Sequence, residues 1–131
     1  GGEFGSTPGR PRRCGWLDAV AIQHSVRISG VDSLIVTKLD VLDDQETISI
    51  CTGYKYNEKL YSSFPANIDI LKKCEPVYEE VPGWCEDTTN VRSAEHLPEK
   101  ARDYIKTIER IVGVKVKMIS VGPERSQIIS I

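Results

Sequence analysis

Thr37-Lys38-Leu39-Asp40 is the stretch whose residue types and spacing could do the most specific chemistry. It closes an apolar run, Ser33-Leu34-Ile35-Val36, that reads as a strand buried on both faces, the habit of parallel sheets. Ligands of open α/β sheets bind just past the carboxyl ends of strands, which is where Lys38 and Asp40 fall. An aspartate there offers two acceptor oxygens. Guanine presents two adjacent donors, the ring N–H and the exocyclic amine, so one carboxylate can accept both, and adenine offers no such pair. A lysine stem can lie along a purine ring while its ammonium stays in water. The plainer alternative is two polar residues closing a strand, and a four-residue pattern alone does not exclude it.

Two other stretches carry chemistry. Gly5 to Arg13 (Gly-Ser-Thr-Pro-Gly-Arg-Pro-Arg-Arg) has prolines and glycines that forbid regular structure, so it reads as a loop displaying Arg10, Arg12 and Arg13. Guanidinium forks match carboxylates and phosphates bidentately, which suits an anionic small molecule. A solvated basic loop or a nucleic-acid arm is the alternative. Ser120-Val121-Gly122 falls at the end of a second strand, where a glycine allows close approach of backbone to a flat ring, or merely makes a turn.

The elements that must position these stretches follow from periodicity. Asp18 can cap a helix over about 19–29 ended by Gly30, with Val20, Ala21, Ile28 and Val31 on its apolar side. Leu42 to Glu46 reads as a solvated acidic turn. Thr47 to Tyr54 alternates as an antiparallel strand, and Asn57-Glu58 turns it toward a hairpin partner at 60–64. Val77–Val81 is a further strand stopped by Pro82-Gly83, with Trp84 packing beneath the turn. Pro98 opens the clearest helix, with Ala101, Tyr104, Ile105, Ile108, Ile111 and Val112 at helical spacing and Gly113 as its cap. Val114 to Ser120 alternates as a strand, with Val116 and Met118 on one face, and Ile128–Ile131 makes a last one.

Composition bounds the class. The 131 residues are 40% hydrophobic and 27% charged, with a net charge of −2, so no global field favours nucleic acid or an anionic membrane. No apolar run approaches the roughly 20 residues of a membrane span. Cys14, Cys51, Cys74 and Cys85 are irregularly spaced, without zinc-site pairs, so reduced thiols and a cytoplasmic setting are expected. The only methionine is Met118, and the chain reads as part of a longer polypeptide. The sequence contains no G-x-x-x-x-G-K-[S/T] and no Gly-Lys dipeptide at all, so a base reader stands here without a phosphate cradle.

Taken in order, Glu3 to Asp18, Thr37-Lys-Leu-Asp-Val-Leu-Asp43, Val81-Pro-Gly-Trp84, the Leu97-Pro98 helix and Ser120-Val-Gly-Pro-Glu-Arg125 resemble the adenylosuccinate synthetase family, specifically its C-terminal third. The resemblance covers essentially the whole chain. It implies an α/β fold, the C-terminal part of a mostly parallel-sheet nucleotide-binding enzyme with an antiparallel hairpin subdomain. It implies a ligase of purine biosynthesis, homodimeric and cytoplasmic, joining IMP and L-aspartate at the expense of GTP, with magnesium bound by the N-terminal part. By the same resemblance Ser6, Thr7, Pro8, Gly9, Arg10, Pro11 and Arg12 form the aspartate and IMP loop, Arg12 also reaching GTP. Lys38, Leu39, Asp40, Ser120, Val121 and Gly122 form the guanine pocket. Pro8 stands where the family usually has threonine, which removes a hydroxyl and an N–H from the aspartate loop. No catalytic or metal residue is expected in this portion, which alone should be inactive. The rival reading is a non-enzymatic anion- or RNA-binding module built on Arg10–Arg13.

Overall fold

The structure is a computed structural model and describes residues 13–131. In chain order its strands are Leu17–Asp18 (β1), Ser33–Val36 (β2), Thr47–Tyr56 (β3), Lys59–Tyr61 (β4), Glu75–Pro82 (β5), Lys115–Ser120 (β6) and Ile128–Ser130 (β7). The helices are Ala19–Ser29 (α1), Ile68–Lys73 (α2) and Glu99–Val112 (α3). The fold is mixed α/β, with parallel and antiparallel pairings in two sheets.

The sheet that matters for the candidate site runs β2-β6-β7, parallel between β2 and β6 and antiparallel between β6 and β7. Among the described residues β2 is paired on one side only. Its inner face, Leu34 and Val36, packs on the core, whereas Ile35 is 62% exposed. The expectation of a strand buried on both faces is therefore corrected: an unbroken apolar run marks β2, but only one face has a covering layer here. Met118 and Ile128 share the exposed face with Ile35. The register explains Met118. Leu34 pairs with Val116 and Ile35 with Met118, so Lys117 is the extra residue of a bulge. Strict alternation would bury Met118 with Val116; the bulge turns Met118 outward and sends Ile119 into the core.

The second sheet centres on β3, which pairs with β1 in parallel and with β4 and β5 in antiparallel fashion. Asn57 and Glu58 make the hairpin turn with φ of 48° and 63°, the positive values that match strand twist. Helix α1 starts where Asp18 accepts from the Ala21 N–H at 3.0 Å and ends at Gly30, φ 61°. Ala19, Ile22 and Val26, three and four residues apart, face the main core and Val20 is buried, as expected, with Cys51 and Tyr54, whereas Ile28, also expected on the apolar side, is 70% exposed. Helix α3 ends at Gly113 as its sequence dictates and lays Ala101, Tyr104, Ile105, Ile108 and Val112 against both sheets. Each fully buried Ile or Leu in that cluster contributes about 1.5–3 kcal/mol.

Burial also fixes a pH response. It pushes the Tyr104 phenol up to about 12. It pushes Tyr54 higher still, helped by the Asp18 carboxylate to which the Tyr54 hydroxyl donates. A phenol whose folded pKa is raised adds stability that is complete below its unfolded pKa, about 10, and is lost as pH climbs through the folded value. Melts between pH 9 and pH 12 are expected to lose about 2 kcal/mol through Tyr104 alone. Tyr104→Phe should flatten that part of the decline; an unchanged slope in the variant would assign it elsewhere.

Candidate ligand site at the carboxyl ends of the parallel strands

The pairing of Val36 with Ile119 brings the carboxyl ends of β2 and β6 together, with Thr37 and Ser120 emerging side by side. This is the position that open α/β sheets use for ligands. Beyond Thr37 the chain turns abruptly, because Lys38 adopts the left-handed conformation, φ 61° and ψ 40°. A non-glycine residue there stores about 1 kcal/mol or more of strain, a habit of binding loops. A single 3₁₀ turn follows over Leu39–Leu42, closed by Val41 N–H to Lys38 carbonyl (3.2 Å) and Asp43 N–H to Asp40 carbonyl (3.1 Å).

Leu39 is 1% exposed and is a core side chain, so any part it plays at a ligand falls to its backbone. Asp40 is the anomaly. Its Oδ1 is buried, and among the described residues no hydrogen-bond donor reaches it. A buried carboxylate oxygen left without a donor costs about 1–3 kcal/mol or more, so such an atom calls for an external donor.

The β6 side supplies the second wall. The Ser120 hydroxyl donates to the Gly122 carbonyl at 2.9 Å, and the Val121 N–H donates to the Gln127 carbonyl at 3.0 Å. Val121 is fully buried, so it too can meet a ligand only through its backbone. Between the walls lies a hollow of about 360 Å³ lined by Thr37, Ser120, Gly122, Pro123 and Arg125 and floored by the exposed apolar face of the sheet. The structure thus brings Thr37 together with Ser120 and Gly122. Lys38 and Asp40 stand in the adjoining turn rather than on the lining of the hollow. Ser6, Thr7, Pro8, Gly9, Arg10, Pro11 and Arg12 lie outside the described residues; Arg13 is exposed.

Sequence reasoning misjudged Asp43, expected in a solvated acidic turn. It is 8% exposed, and both carboxylate oxygens are occupied. Trp84 Nε1–H donates to Oδ1 at 2.7 Å, the Thr88 N–H to Oδ2 at 2.7 Å, and the Thr88 hydroxyl to the pair at 2.9 and 3.0 Å. Asp43 therefore ties the Asp40 turn to the segment after β5. Nothing local could signal this, since the partners lie more than 40 residues away in sequence. Trp84 is buried as expected, packed against Tyr104, but no turn stands over it: Pro82 is the last residue of β5 and the Gly83 N–H continues the ladder to the Glu46 carbonyl. The left-handed Lys38 also had no signal, because glycine or asparagine is the usual occupant of that conformation.

Among the described residues no cluster of three His, Cys, Asp or Glu side chains could hold a metal ion. None of the described helices is long and apolar enough to cross a membrane.

Comparison with known proteins bears directly on this geometry. A family model described as adenylosuccinate synthetase matches residues 1–129. The chain is 56% identical over 129 residues to an adenylosuccinate synthetase of Geotalea uraniireducens and 58% identical over 129 residues to that of Geotalea daltonii. In each case the match covers 98% of this chain and 30% of the relative. A solved structure of fully ligated adenylosuccinate synthetase from Plasmodium falciparum superimposes with a TM-score of 0.91 at 38% identity, covering 98% of this chain and 31% of that one. The chain thus spans about 30% of the length of the curated relatives it matches.

Proposed function

The chain belongs to the adenylosuccinate synthetase family, and from that premise we propose that it supplies the guanine pocket and the aspartate loop of a GTP-dependent ligase. The whole enzyme, in this reading, forms adenylosuccinate from IMP and L-aspartate, with GTP hydrolysed to GDP and phosphate. The IMP 6-oxygen takes the phosphoryl group and the aspartate amine then displaces phosphate. The observation that carries the guanine assignment is the buried, donor-less Oδ1 of Asp40 at the carboxyl end of β2. A base with two adjacent N–H donors satisfies that carboxylate, and the Lys38 stem and the Ser120–Gly122 backbone flank it. The nucleotide swap expected of Asp40→Asn in the full-length parent tests this assignment.

The shares of length say how much of the parent is matched and not which end. We place the chain in the C-terminal part, because its motifs are a base reader and an arginine loop without a glycine-rich phosphate loop. The phosphate loop and the general base would then come from the rest of a homodimeric, cytoplasmic parent, and this chain alone would not turn over.

Ser6, Thr7, Gly9 and Arg10 are proposed to close on aspartate, with Arg10 also near the IMP ribose and Arg12 on the aspartate carboxylates and the GTP side. Arg12→Leu in the parent is expected to raise the KM for aspartate about tenfold or more, the worth of a charge-assisted pair. Steady-state kinetics with each substrate varied in turn would show it, and an aspartate KM within twofold of the parent's would remove Arg12 from this role.

A further inference from the structure

The turn that carries Asp40, beside the hollow, and the Ser120–Gly122 wall share no direct hydrogen bond among those described, yet both are fastened to one short segment outside the hollow. Asp43, which closes the Asp40 turn, is held by the N–H and hydroxyl of Thr88. Gln127 fastens the wall. Its side-chain Nε2–H donates to the Thr89 carbonyl at 3.2 Å, and its Oε1 accepts from the Glu124 N–H at 3.0 Å. Its own carbonyl holds the Val121 N–H, and its amide lies so close against Gly122 that a Cβ there would overlap it. Adjacent residues thus grip the turn through a carboxylate and the wall through a carboxamide. Thr88 is fully buried, and Asp87 folds back on the Thr89 N–H at 2.9 Å, so the clamp itself is held in place.

We propose that Thr88-Thr89 sets the separation between Asp40 and the Ser120–Gly122 wall, and that Gln127, though outside the base-contacting set, is a positioning residue for the guanine pocket. The proposal rests on the guanine reading of that pocket. A carboxylate reads two donors of a base only while the opposite wall keeps the ring in plane with it, so a wall released from Thr89 lets the ring tilt and weakens the pair.

The test uses the full-length parent enzyme. Gln127→Ala is expected to raise the KM for GTP about tenfold, as for the loss of one or two hydrogen bonds. The kcat and the KM values for IMP and aspartate should stay within twofold. Gln127→Glu separates the two bonds of the side chain: it keeps an acceptor for the Glu124 N–H but sets an anion against the Thr89 carbonyl. If the link to Thr89 is what matters, Gln127→Glu behaves like Gln127→Ala. Full rescue by Gln127→Glu would reduce Gln127 to a local cap and overturn the proposal. So would a parallel rise in all three KM values, which marks general loosening. Asp40→Asn, run alongside, distinguishes the two levels. If it alters base preference while both Gln127 variants leave the GTP KM unchanged, the clamp fails and the guanine reading survives. If it alters nothing, both fall together.

Discussion

Asp40→Asn in the full-length parent is expected to lower the use of GTP by about 2–4 kcal/mol, the range for breaking a charge-assisted pair in a desolvated site. It should gain use of XTP at the same time. In the proposed reading the carboxylate accepts from the ring N–H and the exocyclic amine of guanine. An asparagine keeps one acceptor and turns an N–H₂ toward the other donor. Xanthine has a carbonyl where guanine has its amine, so the same amide then finds a partner. Loss of one negative charge cannot produce this reversal, since it would shift all nucleotides alike. The buried, donor-less Oδ1 sharpens the expectation, because a solvated carboxylate would lose much less. The ratio of kcat/KM for GTP and XTP is the measurement. A ratio unchanged by the substitution would leave Thr37-Lys-Leu-Asp40 as no more than the end of a strand.

Asp43→Ala is expected to destabilise the protein by about 3–5 kcal/mol, against less than about 0.5 kcal/mol for Asp44→Ala. Removing the Asp43 carboxylate strands the Trp84 indole N–H and both the N–H and hydroxyl of Thr88 in the interior. Each is a buried donor, and the cost of leaving one unmade exceeds the net worth of the bond. Asp44, exposed and next in sequence, controls for charge. Urea unfolding midpoints of the two variants decide it. If Asp43→Ala melts with Asp44→Ala, the three donors have found other partners and the Asp40 turn does not depend on them.

The sequence by itself determined most elements and the strand ends that flank the candidate hollow. Asp18 and Gly30 bound α1, Pro98 and Gly113 bound α3, and Asn57-Glu58 turns the hairpin, because caps and turns are settled by residues within a few positions of each other. Thr37 and Ser120 were legible as strand ends, and the structure sets them side by side. What only the tertiary structure decided depends on distant partners. The bulge at Lys117 sends Met118 outward and Ile119 inward, against strict alternation. The apolar run of β2 said nothing of how many neighbours it would have, and Ile35 is left exposed. Asp43 looks like any acidic turn residue until the chain returns at Trp84 and Thr88 to desolvate it, and Gln127 looks like a loop residue until its amide meets the Thr89 carbonyl. Local patterns fix local geometry, whereas the burial of a polar group, and hence its energetic weight, is set by whatever the rest of the chain packs over it.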